Sequence, residues 1–342
     1  MDGFLSEAEA RKLAERNLCD VVDEIDTSML AEGVKHYKGK VRENFTLPDK
    51  SQRVLLTTDC VSVYDHVVGT VPFKGQVLDE IAHWWFEKTK TVVPDHVIYL
   101  KDSTITLAHE CEPFPVEMVV RAYLTGTSDT SIWTAYAEGK REFCGHRLPE
   151  GMRKNERLPY VMITPSTKAE HGQHDESITM DAAKALLPGN TEEKARIWDA
   201  ISSHALVLFG MGAALSDKMG LILVDTKYEF GRTKDGRIVV MDEIHTPDSS
   251  RFWEKGDYAS RFAAGMEPKQ LSKQFVREAI DKQGYKHRPG EIPPPLSDAN
   301  RIECAVRYIM LCQRMTGRPF VPDTRGAEER AYRPLKELGV LR

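Results

Sequence analysis

Residues 221–242 constrain this chain more than any other stretch, because they spell a β-ribbon whose charged and apolar sides are already sorted. Leu221, Ile222, Leu223 and Val224 form a short apolar run, the mark of a buried strand. Asp225, Lys227 and Glu229 then recur at period two and leave one face, while Tyr228 and Phe230 leave the other. Asp235-Gly236 signals a two-residue hairpin turn, and Ile238 to Met241 supplies a β-branched return strand. A turn so placed opposes Lys234 to Arg237, and counting back opposes Glu229 to Asp242. Directly opposed residues have Cβ atoms roughly 4.5–5.5 Å apart, so two carboxylates there repel each other. Two readings follow. The acids splay into water at an exposed edge, or they share a divalent cation that reverses the sign of the interaction. Lys227 on the same face, and Arg251 in the polar loop beyond, suit a metal-bound phosphate.

With 342 residues the chain can bury a large core, and two or three domains are expected. Its net charge of −5 and its dispersed basic residues show no nucleic-acid footprint. The six cysteines form no C-x-x-C pair and no zinc spacing, which predicts free thiols in a reducing compartment. The N-terminus is acidic and lacks an apolar signal core. The apolar stretch Ala205 to Leu215 is interrupted by two glycines and is too short to span a bilayer. A cytoplasmic protein acting on small molecules, with neither nucleic acid nor membrane as partner, is therefore expected; a homo-oligomer stays open.

Along the chain, Ser6 and Glu9 form a capping-box pattern that predicts an N-terminal helix. Lys40 and Arg42 sit at strand spacing beside Gly39, so both cations can face a polyphosphate, or simply water. Gln76 to Lys88 predicts an amphipathic helix whose tryptophans belong to the core. Phe114 to Arg121 predicts an alternating strand with Glu117 and Arg121 on one face. A strand edge there can offer backbone groups to a purine. Thr125 to Ser128 adds glycine and hydroxyls suited to an anion. His171, His174 and Asp175 lack a metalloprotease spacing, so a surface loop is preferred to a zinc site. Thr191 to Met219 predicts one or two helices ending near Gly220. Ser249, Ser250 and Arg251 pair hydroxyls with a guanidinium, a plausible phosphate clamp. Gln270 to Lys282 and Ser297 to Met315 predict helices on either side of a triple-proline step.

Five stretches, in order from about Tyr37 to about Pro322, carry a resemblance. ILVDTKYEFG and DEIHTPDSSRFW resemble two signatures of the SAICAR synthetase family of purine biosynthesis. Gly39-Lys40-Val41-Arg42 resembles its G-K-x-R stretch, Pro115 to Thr127 its P-x-E-x-x-x-R-x-x-x-T-G-S, and Pro165 to Glu176 its P-S-T-K-A-E-x-G-x-H-D-E loop. Ser62 and Asp65 match the family's D-R-I-S-A-F/Y-D, but Cys60 stands where arginine is usual. Thr127 replaces the usual serine, with Ser128 the next hydroxyl.

The resemblance implies ATP-dependent ligation of L-aspartate to the carboxylate of carboxyaminoimidazole ribotide, through an acyl phosphate. It implies Mg2+ on Glu229 and Asp242. The nucleotide falls to Lys40, Arg42 and the backbone of Glu117, Met118 and Val119. The ribotide falls to Ser62, Asp65, Arg121, Thr127, Ser128, Ser249 and Arg251, and the acyl-transfer centre to Lys168, Asp175, Asp225 and Lys227. It implies an α+β fold in four parts: an N-terminal helical extension at 1–31, an antiparallel-sheet, ATP-contacting domain at 32–113, an ATP-grasp-like ligand-binding domain at 114–265, and a C-terminal helical segment at 266–342. Another carboxylate–amine ligase or small-molecule kinase on the same scaffold, or an inactive nucleotide-binding protein, are the alternatives.

Overall fold

The computed structural model describes every residue except 1–2, 65, 129, 169–174, 272, 287 and 289. The chain forms two compact units: Met1–Glu87, His96–Glu110 and Leu271–Arg342 make unit 1, and Lys88–Asp95 with Cys111–Gln270 make unit 2. The run begins with α1 (Glu7–Arg16), β1 (Lys35–Lys38), β2 (Arg42–Thr46), β3 (Gln52–Thr57), β4 (Cys60–Val63) and β5 (His66–Thr70). Helix α2 (Lys74–Thr89), β6 (Val97–Asp102) and β7 (Ile105–His109) follow. Unit 2 then builds β8 (Cys111–Leu124), α3 (Ile132–Ala137), β9 (Glu142–Phe143), β10 (His146–Arg147), β11 (Glu156–Ile163) and β12 (Ser166–Thr167). It continues with α4 (Met180–Leu186), α5 (Thr191–Lys218), β13 (Leu221–Thr233), β14 (Ile238–Met241), β15 (Ser250–Glu254) and α6 (Lys255–Ala263). The chain returns to unit 1 for α7 (Gln274–Lys282), α8 (Asp298–Thr316) and α9 (Arg333–Glu337).

Unit 1 holds a five-stranded sheet of order β1-β2-β3-β7-β6 and the separate hairpin β4-β5. Every pairing of named strands is antiparallel, as an α+β fold requires. The expected capping box is present: the Ser6 hydroxyl accepts from the Glu9 amide, and Glu9 reaches back to the Ser6 amide. That helix is no free arm. It buries Ala10 and Ala14, Leu5 N–H donates to Gln313 Oε1 at 2.8 Å, and Arg11 pairs with Glu303 of α8. One apolar cluster joins Val22 and Ile25 to Phe45, Val54, Leu56 and Ile105 of the sheet and to Leu335, Val340 and Leu341 near the end of the chain. Burying each such side chain contributes about 1.5–3 kcal/mol, so residues 22–25 and 335–341 are tied to the sheet. The four-part division at 31, 113 and 265 therefore differs from the structure, which joins the extension and the C-terminal segment to the first sheet.

Unit 2 is built on a sheet of order β11-β8-β13-β14, with β12 paired to β8 and β15 paired to β13. Helix α5 packs across β13 and β8 and buries Ile197, Ile201, Ala205, Leu208 and Phe209. By length and composition α5 could cross a bilayer, contrary to the shorter stretch read from sequence, yet its apolar face here closes a core. Tyr228 and Phe230 of β13 are fully enclosed on the apolar side. Alternation then sends Asp225, Lys227 and Glu229 to the other side of the same sheet.

The hairpin register differs from expectation. Glu229 opposes Met241, Phe230 opposes Val240 and Arg232 opposes Ile238. Thr233 N–H donates to the Arg237 carbonyl and Gly236 N–H to the Thr233 carbonyl, with Gly236 at φ +88°. The loop thus holds three residues ending in a left-handed glycine, not two, and the register slips by one. Glu229 meets Asp242 by no ladder pairing. β14 ends at Met241, and Asp242 turns away at φ +68°.

Candidate functional site

The charged face of unit 2 comes from four neighbouring strands. On β8, Glu117 lies opposite Glu229 of β13, and Arg121 lies opposite Asp225. On the far side of β13, Asp225 also opposes Arg251 of β15. On the far side of β8, Ser166 of β12 opposes Glu117. The expected pair of Glu229 and Asp242 across the hairpin is therefore not formed; the acid opposite Glu229 is Glu117 of β8.

Lysines sit between these acids. Lys227 Nζ donates to Glu117 Oε1 at 2.8 Å and to Glu229 Oε1 at 2.5 Å, and Lys168 Nζ donates to Glu229 Oε2 at 2.5 Å. The Ser166 hydroxyl donates to Glu117 Oε2 at 3.2 Å. Burial works against charge on Glu229, yet the two ammoniums hold its carboxyl far below the usual range. Burial pushes Glu117 the other way; Lys227 offsets part of this, and the Glu229 and Asp175 charges add to it. Glu229 therefore carries the negative charge of the pair, and Glu117 is the acid readier to take a proton. Burial opposes the charge on Lys227, but Glu229, Glu117 and Asp242 keep it protonated.

One strand step away, Asp225 is shared by two guanidiniums. Arg251 Nη1 donates to Asp225 Oδ2 at 2.9 Å and Arg121 Nη1 at 3.4 Å, while Arg121 Nε donates to Thr164 Oγ1 at 2.8 Å. Asp225 thus holds the two guanidiniums side by side. Arg251 is a strand residue, not a loop residue, so its side chain is aimed by β15. Gly126 closes the same corner with φ +105°: a Cβ there would stand 2.4 Å from Ser131 Cβ and 3.6 Å from Arg251 Nη1. Gly126→Ala is expected to lower unfolding free energy by about 1–3 kcal/mol from overpacking alone. A urea melt unchanged from wild type would show that the loop adapts freely.

The other expected residues are distributed as follows. Thr127 and Ser128 are exposed in the loop after β8. Ser249 Oγ instead accepts from Thr246 N–H at 3.2 Å and shapes the turn before β15. The edge route for a purine at Glu117, Met118 and Val119 is closed, because β8 is an interior strand. Val119 O accepts from Thr164 N–H at 2.8 Å, and Met118 is buried opposite Tyr228. Lys40 lies exposed in the turn between β1 and β2, while Arg42 is a buried β2 residue with Nε 3.3 Å from Thr57 Oγ1. Strand spacing therefore does not set both cations on one face. Ser62 is buried in β4, and Asp65, His171 and His174 lie outside the described residues. Asp175 is exposed, and its charge reaches Glu117.

Sequence reasoning overlooked Ser166 and Thr164, which hold Glu117 and Arg121. Only pairing between distant strands makes them neighbours, and no local pattern announces it.

Among the described residues, no three His, Cys, Asp or Glu side chains gather as a metal site would require. Two carboxylates are nevertheless enough for Mg2+, which commonly takes one or two from protein and its remaining ligands from substrate phosphates and water. Glu229 is such a hard oxygen donor, and the Asp242 charge reaches the same Lys227 that Glu229 binds. The donor set fits.

Residues 35–292 match the SAICAR synthetase family. The phosphoribosylaminoimidazole-succinocarboxamide synthase of Legionella pneumophila (strain Paris) is 44% identical over 290 residues, 85% of this chain and 90% of that protein. The chloroplastic enzyme of the same name from Arabidopsis thaliana is 42% identical over 295 residues, 85% of this chain and 70% of that protein. A solved SAICAR-synthase from Saccharomyces cerevisiae, complexed with SAICAR, has a TM-score of 0.70 at 23% identity, covering 87% of this chain and 99% of that one. At that identity the likeness shows the fold. The matches as a whole define the class, an α+β, ATP-using ligase. The stretches that carry the charged face, β8, β12 and β13 to β15, all fall inside the matched residues. The chain belongs to the SAICAR synthetase family.

Proposed function

We propose that this chain joins L-aspartate to the carboxylate of carboxyaminoimidazole ribotide, cleaving ATP to ADP and phosphate and releasing SAICAR in purine biosynthesis. The observation that carries the reading at residue level is the lysine-bridged pair of carboxylates beside two guanidiniums on one sheet face. A carboxylate is a poor electrophile and must be activated. A ribotide carboxylate oxygen attacks the γ-phosphorus and ADP leaves. The aspartate nitrogen then attacks the acyl carbon, phosphate departs, and the nitrogen gives up a proton. Negative charge builds at each stage, so fixed cations that need not reorganise are what the chemistry asks for.

In this reading Lys227 and Lys168 offset charge at the reacting carboxylate, and Glu229 holds both ammoniums in place. Glu117 takes up or returns a proton beside them. Arg121 and Arg251, aimed by Asp225, bind the ribotide's phosphate, with Thr127 and Ser128 adding hydroxyls. Glu229 and Asp242 would hold Mg2+, which when bound neutralises ATP phosphates and polarises the γ-phosphoryl group. The phosphate roles of Lys40 and Arg42, and the part played by Asp175, rest on their motifs. Six free cysteines support the cytoplasm as the working compartment.

The test is ADP release from Mg2+-ATP and the ribotide, with and without L-aspartate, with products identified by mass. Release that needs all three components, together with the succinocarboxamide mass, is the expected result. Release without aspartate would point to a kinase, and none from folded, ATP-binding protein to an inactive relative.

A further inference from the structure

Unit 1 carries a second charged cluster that the roles above leave unused. Helix α7 turns Val276, Ala279 and Ile280 inward, and it packs against α8. Lys273 at its N-cap, Arg277 and Asp281 recur every four residues and therefore stand in line along one side of the helix. That side meets the turn end of hairpin β4-β5. Lys273 Nζ donates to Ser62 Oγ at 3.4 Å, the Tyr64 hydroxyl donates to the two Asp281 oxygens at 3.0 and 3.2 Å, and the Arg277 charge reaches Tyr64. The ring of Tyr285 tilts against Tyr64 at 5.3 Å. The hairpin itself brings no cation at position 60. Cys60 is buried there, its Sγ 3.5 Å from the Asp23 carbonyl. The cation beside Ser62, Lys273, comes instead from a segment about two hundred residues further along the chain.

The composition of this cluster discriminates between ligands. Two cations and a hydroxyl suit a pair of carboxylates. A carboxylate alongside them, Asp281, disfavours a phosphate dianion far more than a zwitterionic amino acid. In the ligase reading, on which this step rests, the ribotide's phosphate already has Arg121 and Arg251, and L-aspartate is the substrate still without named residues. We propose that Lys273 and Arg277, together with Ser62, bind the carboxylates of L-aspartate, with Asp281 excluding phosphates. Ser62 thereby moves from the ribotide to the amino acid.

Steady-state ADP release by the full-length protein tests this, with each of the three substrates varied in turn. Lys273→Gln and Arg277→Gln are each expected to raise KM for L-aspartate about ten- to a hundredfold, the loss of one charge-assisted hydrogen bond. KM for ATP and for the ribotide should stay within about twofold, and Lys273→Arg should recover most of the aspartate affinity. A rise confined to the ribotide, an equal rise for all three substrates, or an unmoved aspartate KM would each overturn the assignment. A wild-type enzyme whose ADP release ignores aspartate would overturn the ligase reading itself. The two failures are thus told apart by the wild-type control.

Discussion

Glu229→Gln is expected to lower kcat on the order of a thousandfold while costing only roughly 1–3 kcal/mol of stability. The asymmetry follows from who would be left unpaired. Lys227 keeps Glu117 at 2.8 Å, and Lys168, whose side chain is 38% exposed, can turn to water. Burial, the larger cause of the raised Glu117, persists with Glu229 neutral, but the Glu229 charge that adds to it is gone, and Lys227 keeps Glu117 as its hydrogen-bond partner. The fold thus keeps an ion pair, whereas the site loses the carboxylate that fixes two ammoniums and half of the proposed Mg2+ pair. Turnover would be followed by ADP release across a Mg2+ titration, and stability by urea unfolding. Unchanged kcat at saturating Mg2+ would sink the role given to Glu229.

Asp225→Asn should show the opposite balance, a stability loss of about 3–5 kcal/mol, typical of removing one partner from a buried ion pair. Arg121 and Arg251 are only 10% and 15% exposed at their side chains, so neither guanidinium can recover its hydration easily. Asparagine keeps the shape and one hydrogen bond but leaves two neighbouring positive charges to repel. An anion that binds between them should restore part of the loss, because a ligand that favours the folded state stabilises by mass action. Urea melts with and without the ribotide, or with inorganic phosphate, read both effects. A loss below about 1 kcal/mol would mean that the guanidiniums find other partners, and that Asp225 does not aim them.

Much of this is legible in the chain itself. Period-two alternation from Asp225 to Phe230 assigns acids and lysine to one face and aromatics to the other, since strand geometry allows nothing else. The same rule placed Glu117 beside Arg121. The capping box at Ser6 and the long helix before Gly220 likewise follow from local chemistry. What was misread depended on one residue's backbone. Gly236 at φ +88° lengthens the turn by a residue, and that slip separates Glu229 from Asp242 in the ladder. A two-residue and a three-residue loop look alike in the string Lys-Asp-Gly-Arg, because the choice lies in φ and ψ rather than composition.

The family, the α+β class and the alternation that makes one face of β13 charged can all be read from the order of the residues. Tertiary structure alone decided who stands next to whom. Pairing of β8 with β13 puts Glu117 against Glu229, pairing of β13 with β15 puts Arg251 against Asp225, and the return of the chain to unit 1 puts Lys273 on Ser62. Local pattern encodes the direction of a side chain, which depends on a few neighbouring dihedrals. Cross-strand partnership depends on which strands share a ladder, and the free energy of burying both faces of the whole sheet settles that.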